Sequence, residues 1–226
     1  MLSDLGSKMI TELGLLDRDL EAHHAAFGMA TAEHQVGVAY PAMFLLDAGG
    51  RVEHKRIQPN YRAREGGPLV LEEVLGLEPV DGGVSRDVAQ PHVRLRLVAD
   101  GSGYVRWQRA RVRVDVAAGE GWHVYANPVP AGYTGLTLEV QTESGVEVGE
   151  PVFPASHDFS VVGLPHQFRV YEGSFSVAVP IAFNVGKDLG PLTVRVRVAY
   201  QACNETSCLP PQTVTLEISL SEITVP

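Results

Sequence analysis

The chain has 226 residues, an apolar content of 45%, a charged content of 20% and a formal net charge of -9. Such values are typical of a folded protein with one large or two small domains. The basic residues are scattered, which argues against a nucleic-acid partner because phosphate binding needs a concentrated basic face, and no apolar run approaches the ~20 residues of a membrane-spanning helix.

The first segment, residues 1–80, is predicted to combine short helices with a β-hairpin. A stripe of apolar residues ending at Gly14 indicates a short helix. The apolar run 40–47 and the polar run 51–55 are separated by a Gly-Gly turn, which predicts a hairpin with one buried strand and one edge strand. Residues 68–76 begin with proline and end with glycine, as a closing helix does.

The hairpin carries the pattern Tyr-Pro-x-x-Phe-x-Leu-Asp-x-x-Gly-Arg-Val, starting at Tyr40. This pattern resembles the second half of a peroxiredoxin of the alkyl hydroperoxide reductase/thiol-specific antioxidant family, which has a thioredoxin-like fold. The resemblance implies that Pro41 is the cis-proline facing the active site. No cysteine precedes Cys203, so the peroxidatic nucleophile is missing and no peroxidase activity is expected. We interpret the segment as the carboxy-terminal part of such a domain from a longer fusion, or as a docking unit.

The second segment, residues 88–224, is predicted to be all β. Residues 78–85 are rich in Pro and Gly and indicate a boundary near residue 82. Many short strands separated by turn residues are typical of a β-sandwich. The alternation of apolar and polar residues predicts strands over 92–99, 104–117, 122–126, 136–142, 146–153, 167–171, 174–183, 192–200 and 213–220.

Both cysteines of the chain lie in the stretch Tyr-Gln-Ala-Cys-Asn-Glu-Thr-Ser-Cys-Leu-Pro-Pro, residues 200–211. The flanking strands predict a hairpin with Cys203 and Cys208 at its tip. One interpretation is a structural disulfide, but the loop-entropy model gives so small a ring only about 2 kcal/mol of stabilisation. The other interpretation is a redox pair that is rigidly presented and reachable from solvent.

The motifs Tyr-Gln-x-Cys and Cys-x-Pro-Pro, with Gly-Trp-His-Val-Tyr starting at Gly121, resemble the amino-terminal domain of the thiol:disulfide interchange protein DsbD family, over about 91–222. This resemblance implies an immunoglobulin-like sandwich whose cysteines shuttle electrons. Cys208 would then engage the partner, and Cys203 would resolve the mixed disulfide. The best-known members have one more residue between the cysteines. In that family an aromatic cap covers the disulfide, and residues 154–168 are the candidate here, with Phe159 or Phe168 as the covering ring.

Two residues near the pair have open interpretations. Glu205 lies between the cysteines, and its carboxylate either disfavours the thiolate or is simply solvated. Tyr200 either packs against the sulfurs or ends a core strand, and Trp122 and Tyr125 are interpreted as core residues.

A zinc site is the remaining alternative. The cysteines with His157 or His166 could contribute to a set of four zinc ligands, but their spacing is unusual for zinc, so no metal and no cofactor are predicted.

The predicted molecule is therefore an α+β partial thioredoxin-like fold followed by an all-β immunoglobulin-like sandwich. Its predicted activity is that of a thiol:disulfide oxidoreductase, exchanging with thioredoxin-fold proteins or a membrane thiol reductase, with a peroxiredoxin active site as one client. The rival hypothesis is a non-catalytic interaction module with an inert disulfide. The DsbD resemblance implies the periplasm, whereas the start at Met1 lacks signal-peptide features and leaves the cytoplasm open.

Overall fold

The structure is a computed structural model, and it describes residues 4–26, 28–58, 64–77, 83–160, 167–184 and 190–223. The chain divides into two compact units, Met1–Arg64 and Glu65–Pro226. The linker predicted near residue 82 falls largely on residues 78–82, outside the described residues. The helix over Gly67–Leu75 belongs with the second unit, upstream of the predicted boundary.

The first unit contains short helices and one hairpin. Gly14 has a positive φ of 65° and ends the first helical segment, as the sequence predicted. The helices are α1 (Lys8–Glu12) and α2 (Leu20–Ala26), with 3-10 turns at Leu5–Ser7 and Glu33–Gln35, and the strands are β1 (Ala42–Leu46) and β2 (Val52–Ile57).

The hairpin of β1 and β2 is antiparallel, as predicted. Its turn is held by Asp47, whose Oδ1 accepts hydrogen bonds from the backbone N–H groups of Gly49 and Arg51, each at 2.8 Å. The prediction of a buried strand is wrong in one respect, because β1 is at most half-buried along its length. Two strands and short helices do not establish a thioredoxin-like fold, so that part of the prediction is not shown.

The prediction that Pro41 follows a cis peptide bond is wrong. In the described part of the chain the cis bond is the one between Asn127 and Pro128. Pro41 leads directly into β1, and its carbonyl accepts a hydrogen bond from the N–H of Gln58 at 2.8 Å. The trans form is the commoner state of a bond before proline, and an extended entry into a strand does not need the cis form.

In its described residues, the second unit holds one helix and the remaining strands. Of the described helices, none is long and apolar enough to cross a membrane. The elements are β3 (Arg64–Glu65), α3 (Gly67–Leu75), β4 (Ser85–Gln90), β5 (Val93–Ala99), β6 (Gly103–Tyr104), β7 (Gln108–Ala118), β8 (His123–Tyr125), β9 (Thr137–Gln141), β10 (Val146–Val148), β11 (His157–Ser160), β12 (Gln167–Glu172), β13 (Ser174–Phe183), β14 (Leu192–Tyr200), β15 (Ala202–Cys203) and β16 (Gln212–Glu222).

The described strands of the second unit form three sheets that share a hydrophobic core. The first runs in the order β10-β13-β7-β5-β4, the second β6-β16-β14-β9, and the third β11-β12-β8-β15. Apolar side chains from all three sheets, among them Leu95, Leu216 and Val124, belong to one buried cluster, which we call the main core. Alternation along β7 and β14 buries every second residue, as the sequence predicted.

Three differences from the predicted strands have local causes. The predicted strand 104–117 is split, because Trp107 has a positive φ of 62° that extended backbone does not allow. Strand β4 was missed because it is a mostly exposed strand at the end of its sheet, without apolar alternation, yet it pairs with β5 along its whole length. Strand β11 was missed for a similar reason, since three of its four residues are exposed.

Candidate functional site

Cys203 and Cys208 form a disulfide with their Cα atoms 4.1 Å apart. They face each other across an antiparallel bridge at the tip of a hairpin. The N–H of Leu209 donates to the carbonyl of Ala202 at 2.9 Å, and the N–H of Asn204 donates to the carbonyl of Ser207 at 2.8 Å. The predicted hairpin tip is therefore confirmed, and backbone hydrogen bonds hold it on both sides of the disulfide.

The turn between the cysteines is organised by Asn204. Its side-chain oxygen accepts hydrogen bonds from the N–H groups of Thr206 at 2.9 Å and Ser207 at 2.8 Å. An Asn side chain that bonds to the backbone ahead of it is a common way to fix a tight turn. Glu205 is exposed at this turn.

The two cysteines differ in their access to solvent. Cys203 is 0% exposed, whereas Cys208 is exposed. The prediction that the pair is reachable is therefore correct for Cys208 and wrong for Cys203, because the side chains of Tyr125, Phe168 and Val170 pack with the first cysteine in a buried cluster. An incoming protein can meet only one side of this bond directly.

The third sheet separates two environments. Its Val124 and Ala202 point into the main core. Residues one position along, Tyr125 and Cys203, lie on the opposite face, where they form a second buried cluster with Phe168 and Val170. We call this the site cluster.

Aromatic rings make up most of the site cluster. The ring of Tyr125 lies 5.0 Å from that of Phe168 and 5.3 Å from that of Tyr133, measured between centroids. Phe159 packs against the same cluster, and the register between β11 and β12 places it directly opposite Phe168. Contacts of this kind fix ring positions, so the buried sulfur has a defined apolar surrounding.

The hydroxyl of Tyr125 lies 3.5 Å from Sγ of Cys208. A disulfide sulfur carries no proton, so the hydroxyl is the donor. Burial and the neighbouring Tyr133 raise the pKa of Tyr125, which keeps this hydroxyl protonated. A hydrogen bond from it would stabilise a thiolate on Cys208 after reduction.

His123 is the cross-strand neighbour of Cys203 in the pairing of β15 with β8. It is 2% exposed, and its ring lies 4.3 Å from that of Phe159. Burial lowers the pKa of His123, which favours the neutral imidazole. A titratable, neutral side chain thus lies beside the buried cysteine.

One protein family matches the part of the chain that carries the cysteine pair. Residues 96–220 match the family described as "Thiol:disulfide interchange protein DsbD, N-terminal", which is more than half of the chain. The chain belongs to the DsbD N-terminal domain family. The cysteine pair lies inside the matched residues, and the match begins after the first unit, so the peroxiredoxin resemblance stays a prediction. No curated protein matches the chain.

Solved structures of low sequence identity are similar to this member of the DsbD family. The N-terminal periplasmic domain of ScsB from Proteus mirabilis is 14% identical over 62% of this chain, with a TM-score of 0.43, and the chain spans 52% of that protein. The reduced DsbD N-terminal domain of Neisseria meningitidis is 20% identical, with 67% and 94% covered and a TM-score of 0.35. The GAE domain of GGA2p from Saccharomyces cerevisiae is 12% identical, with 62% and 99% covered and a TM-score of 0.34.

Of the residues predicted around the disulfide of this DsbD-family domain, some lie in the site cluster and others do not. Phe159 and Phe168 both join the site cluster, with Phe168 only 2% exposed beneath the surface. Tyr200 belongs to the main core instead, which agrees with a tyrosine at the end of a core strand. Residues 161–166 of the proposed cap, including His166, lie outside the described residues.

Sequence reasoning missed several members of the site. Trp122 packs on the main core and Tyr125 is buried, as predicted, but the contact of the Tyr125 hydroxyl with Cys208 was not foreseen. His123 and Tyr133 were not singled out, although the motif Gly-Trp-His-Val-Tyr contained the first of them. Both sulfurs are used in the disulfide, and the described part of the chain holds no cluster of His, Cys, Asp or Glu suited to a metal ion.

Proposed function

We propose that this protein is a thiol:disulfide oxidoreductase that passes reducing equivalents through Cys203 and Cys208. The observation that carries the proposal is the unequal burial of one disulfide, with Cys208 exposed and Cys203 covered. Thiol–disulfide exchange requires an in-line approach to one sulfur while the other leaves. A rigid hairpin tip with one accessible sulfur suits that requirement better than a crosslink that only staples the fold.

The exchange begins when a partner thiolate attacks Sγ of Cys208. The bond between Cys208 and Cys203 breaks, and Cys203 leaves with the electron pair and takes up a proton. A second thiolate of the partner then attacks the partner's own sulfur in the mixed disulfide and releases Cys208. The protein gains two electrons and the partner becomes a disulfide, and in the reverse direction Cys203 resolves the mixed disulfide.

The partners that we infer are thioredoxin-fold proteins or a membrane thiol reductase. Membership of the DsbD N-terminal domain family supports thioredoxin-fold proteins as partners. The Tyr125 hydroxyl beside Cys208 supports the assignment of Cys208 as the cysteine that engages the partner. Glu205 is exposed at the tip, where it would meet the partner before the sulfur does.

The first unit is proposed to be the carboxy-terminal part of a peroxiredoxin-like domain, which would make a peroxiredoxin active site a further client. Large apolar side chains of this unit are exposed, as expected of a fold that lacks part of its sheet: Leu5 is 84% exposed, Val36 67% and Met9 58%. Supplying a separate peroxiredoxin amino-terminal half and measuring its association would test this part of the proposal independently.

The proposed exchange is tested with the oxidised protein and a thioredoxin that lacks its resolving cysteine. We expect a mixed disulfide on Cys208, identified by mass spectrometry of the linked peptides. Linkage mainly to Cys203 would contradict the assignment of roles. Absence of any conjugate, together with a reduction potential below about -300 mV, would instead identify an inert structural disulfide in an interaction module.

A further inference from the structure

Three side chains of the third sheet lie in a row that crosses three adjacent strands. In the ladder of β15 with β8, Cys203 is directly opposite His123. In the ladder of β8 with β12, His123 is directly opposite Glu172. Directly opposite residues of an antiparallel pair point to the same face, with Cβ atoms about 4.5–5.5 Å apart. A thiol side chain, an imidazole and a carboxylate therefore follow one another on the face of the site cluster.

The imidazole in this row is buried, and one of its two ring nitrogens has no hydrogen-bond partner. Nε2 of His123 makes no hydrogen bond within the part of the chain that the structure describes. The ring lies 5.5 Å from that of Tyr125 and 4.3 Å from that of Phe159. A buried polar atom without a partner costs stability, so an atom of this kind needs a reason to be present.

The surroundings of His123 favour a neutral ring that can still take a proton. Burial is the largest influence and lowers the pKa of His123, the nearby Glu172 raises it, and His157 lowers it. Glu172 and His157 are themselves 3.4 Å apart between Oε2 and Nε2. Among the described residues, Tyr125 on the same strand and Cys203 on β15, which titrates once it is reduced, are further neighbours of the ring.

The buried cysteine needs such a group. Cys203 is 0% exposed, and apolar surroundings raise the pKa of a thiol because they disfavour its thiolate. A protonated Cys203 is a poor nucleophile when the mixed disulfide must be resolved. It is an equally poor leaving group when the disulfide is opened without a proton donor.

We propose that His123 accepts the proton of Cys203 during resolution of the mixed disulfide and returns it in the reverse direction, with Glu172 stabilising the imidazolium. The inference rests on the proposed exchange function and names a further residue for it. The proposed role also gives a reason for a basic imidazole ring at a place where the neighbouring rings, those of Phe159, Phe168 and Tyr125, do not take up a proton.

The step balances as follows. The Cys203 thiol gives its proton to Nε2 of His123, and its sulfur electron pair attacks Sγ of Cys208. The bond between Cys208 and the partner sulfur breaks, and the partner leaves as a thiolate with the bonding electrons. The cysteine pair is oxidised and the partner is reduced. The imidazolium then returns its proton to water beside Glu172, whose side chain is 50% exposed.

Rapid mixing of the reduced protein with oxidised glutathione separates the two steps. Capture of glutathione by the Cys203→Ser variant reports attack by Cys208, and its failure would count against the exchange function itself. Attack by Cys208 releases one glutathione and captures the other, so release of this second, captured glutathione from the dithiol protein reports resolution. We expect His123→Phe, which keeps an aromatic ring, to slow resolution by roughly tenfold or more, since general base catalysis typically contributes at least that much.

The pH profile distinguishes proton transfer from packing. Between about pH 5 and pH 9 the wild-type resolution rate should rise as His123 becomes neutral, whereas His123→Phe should follow only the ionisation of Cys203 itself. Glu172→Gln should move the histidine inflection to lower pH, because the carboxylate favours the imidazolium. His92→Asn is the matched control, since His92 stacks on Trp122 with ring centroids 3.9 Å apart and should leave both steps unchanged.

Two results would overturn the proposal. One is a His123→Phe protein that resolves at the wild-type rate with the wild-type pH profile, because the ring would then serve packing alone. The other result can be obtained even if His123→Phe does not fold. If the pH profile of resolution in the exposed variant Glu172→Gln has its inflection at the wild-type pH, Glu172 does not influence the proton transfer.

Discussion

Gln201 joins the cysteine hairpin to a neighbouring loop. Its side chain is buried, with Nε2 donating to the carbonyl of Leu209 at 3.1 Å and Oε1 accepting from the N–H of Thr134 at 3.1 Å. The same amide thus holds the strand that leaves the disulfide and the loop that carries Tyr133. A single residue of the Tyr-Gln motif therefore positions two sides of the site cluster.

Replacing Gln201 by alanine should destabilise the protein by roughly 1–3 kcal/mol, because two partly buried backbone groups lose their partner. Urea unfolding monitored by circular dichroism measures this difference. Gln212→Ala is the control, since Gln212 makes an exposed side-chain bond to the carbonyl of Pro210 and should change stability by less than about 0.5 kcal/mol. Equal effects of the two substitutions would contradict the assigned role of Gln201.

At the scale of elements, the hairpin of β11 and β12 forms the aromatic side of the site. Phe159 and Phe168 are paired across it, and both belong with the buried Cys203 in the site cluster. Phe159 is only partly buried, so it lies between the cluster and solvent. The hairpin therefore packs on the Cys203 side of the disulfide, whereas Cys208 is exposed, and its role as an aromatic cap stays a prediction.

Removing the ring of Phe159 should make the disulfide easier to reach. We expect Phe159→Ala to speed reduction by dithiothreitol about threefold or more, because the ring packs on the site cluster that buries Cys203 and its removal lets the reagent reach this sulfur as well as the exposed Cys208. Thiol release measured over time gives the rate. Phe153→Ala removes a ring that is 38% exposed and outside the site cluster, and it should leave the rate unchanged. A rate unaffected by Phe159→Ala would mean that the ring does not limit access.

At the scale of the whole molecule, the helix α3 belongs to the second unit, Glu65–Pro226, which carries the β-sheets. Leu69 and Val74 are each 8% exposed, and Glu72 forms an ion pair with Arg111 of β7. Arg111 also bonds Asp100 at 3.2 Å. Burial raises the pKa of Asp100. These contacts indicate that the folding unit begins near residue 65 and not after the predicted linker.

Two truncations test this boundary. A protein of residues 65–226 should unfold in one cooperative transition. Removing α3 as well, to leave residues 83–226, should lower the free energy of unfolding by roughly 2–5 kcal/mol, because two buried apolar side chains and the Glu72 ion pair are lost. Denaturant unfolding of both truncated proteins measures the difference, and equal stabilities would place the boundary at the linker instead.

Much of the sandwich was predictable because its strands alternate. Period-two patterns along β7, β13 and β14 report directly which residues face the core, and the hairpin around the cysteines follows from its flanking strands. Strands β4 and β11 were not predictable in this way, because an exposed strand has no apolar face to reveal it. The split near Trp107 depends on one backbone angle that composition does not encode.

The sequence by itself determined the cysteine hairpin, the all-β character of its domain and the chemistry of a dithiol pair. Only the tertiary structure decided that Cys203 is buried while Cys208 is exposed, and that His123 and Glu172 continue the row from Cys203. The physical reason is register. Which residues face each other across strands far apart in the chain depends on pairing in space, and no local spacing records it.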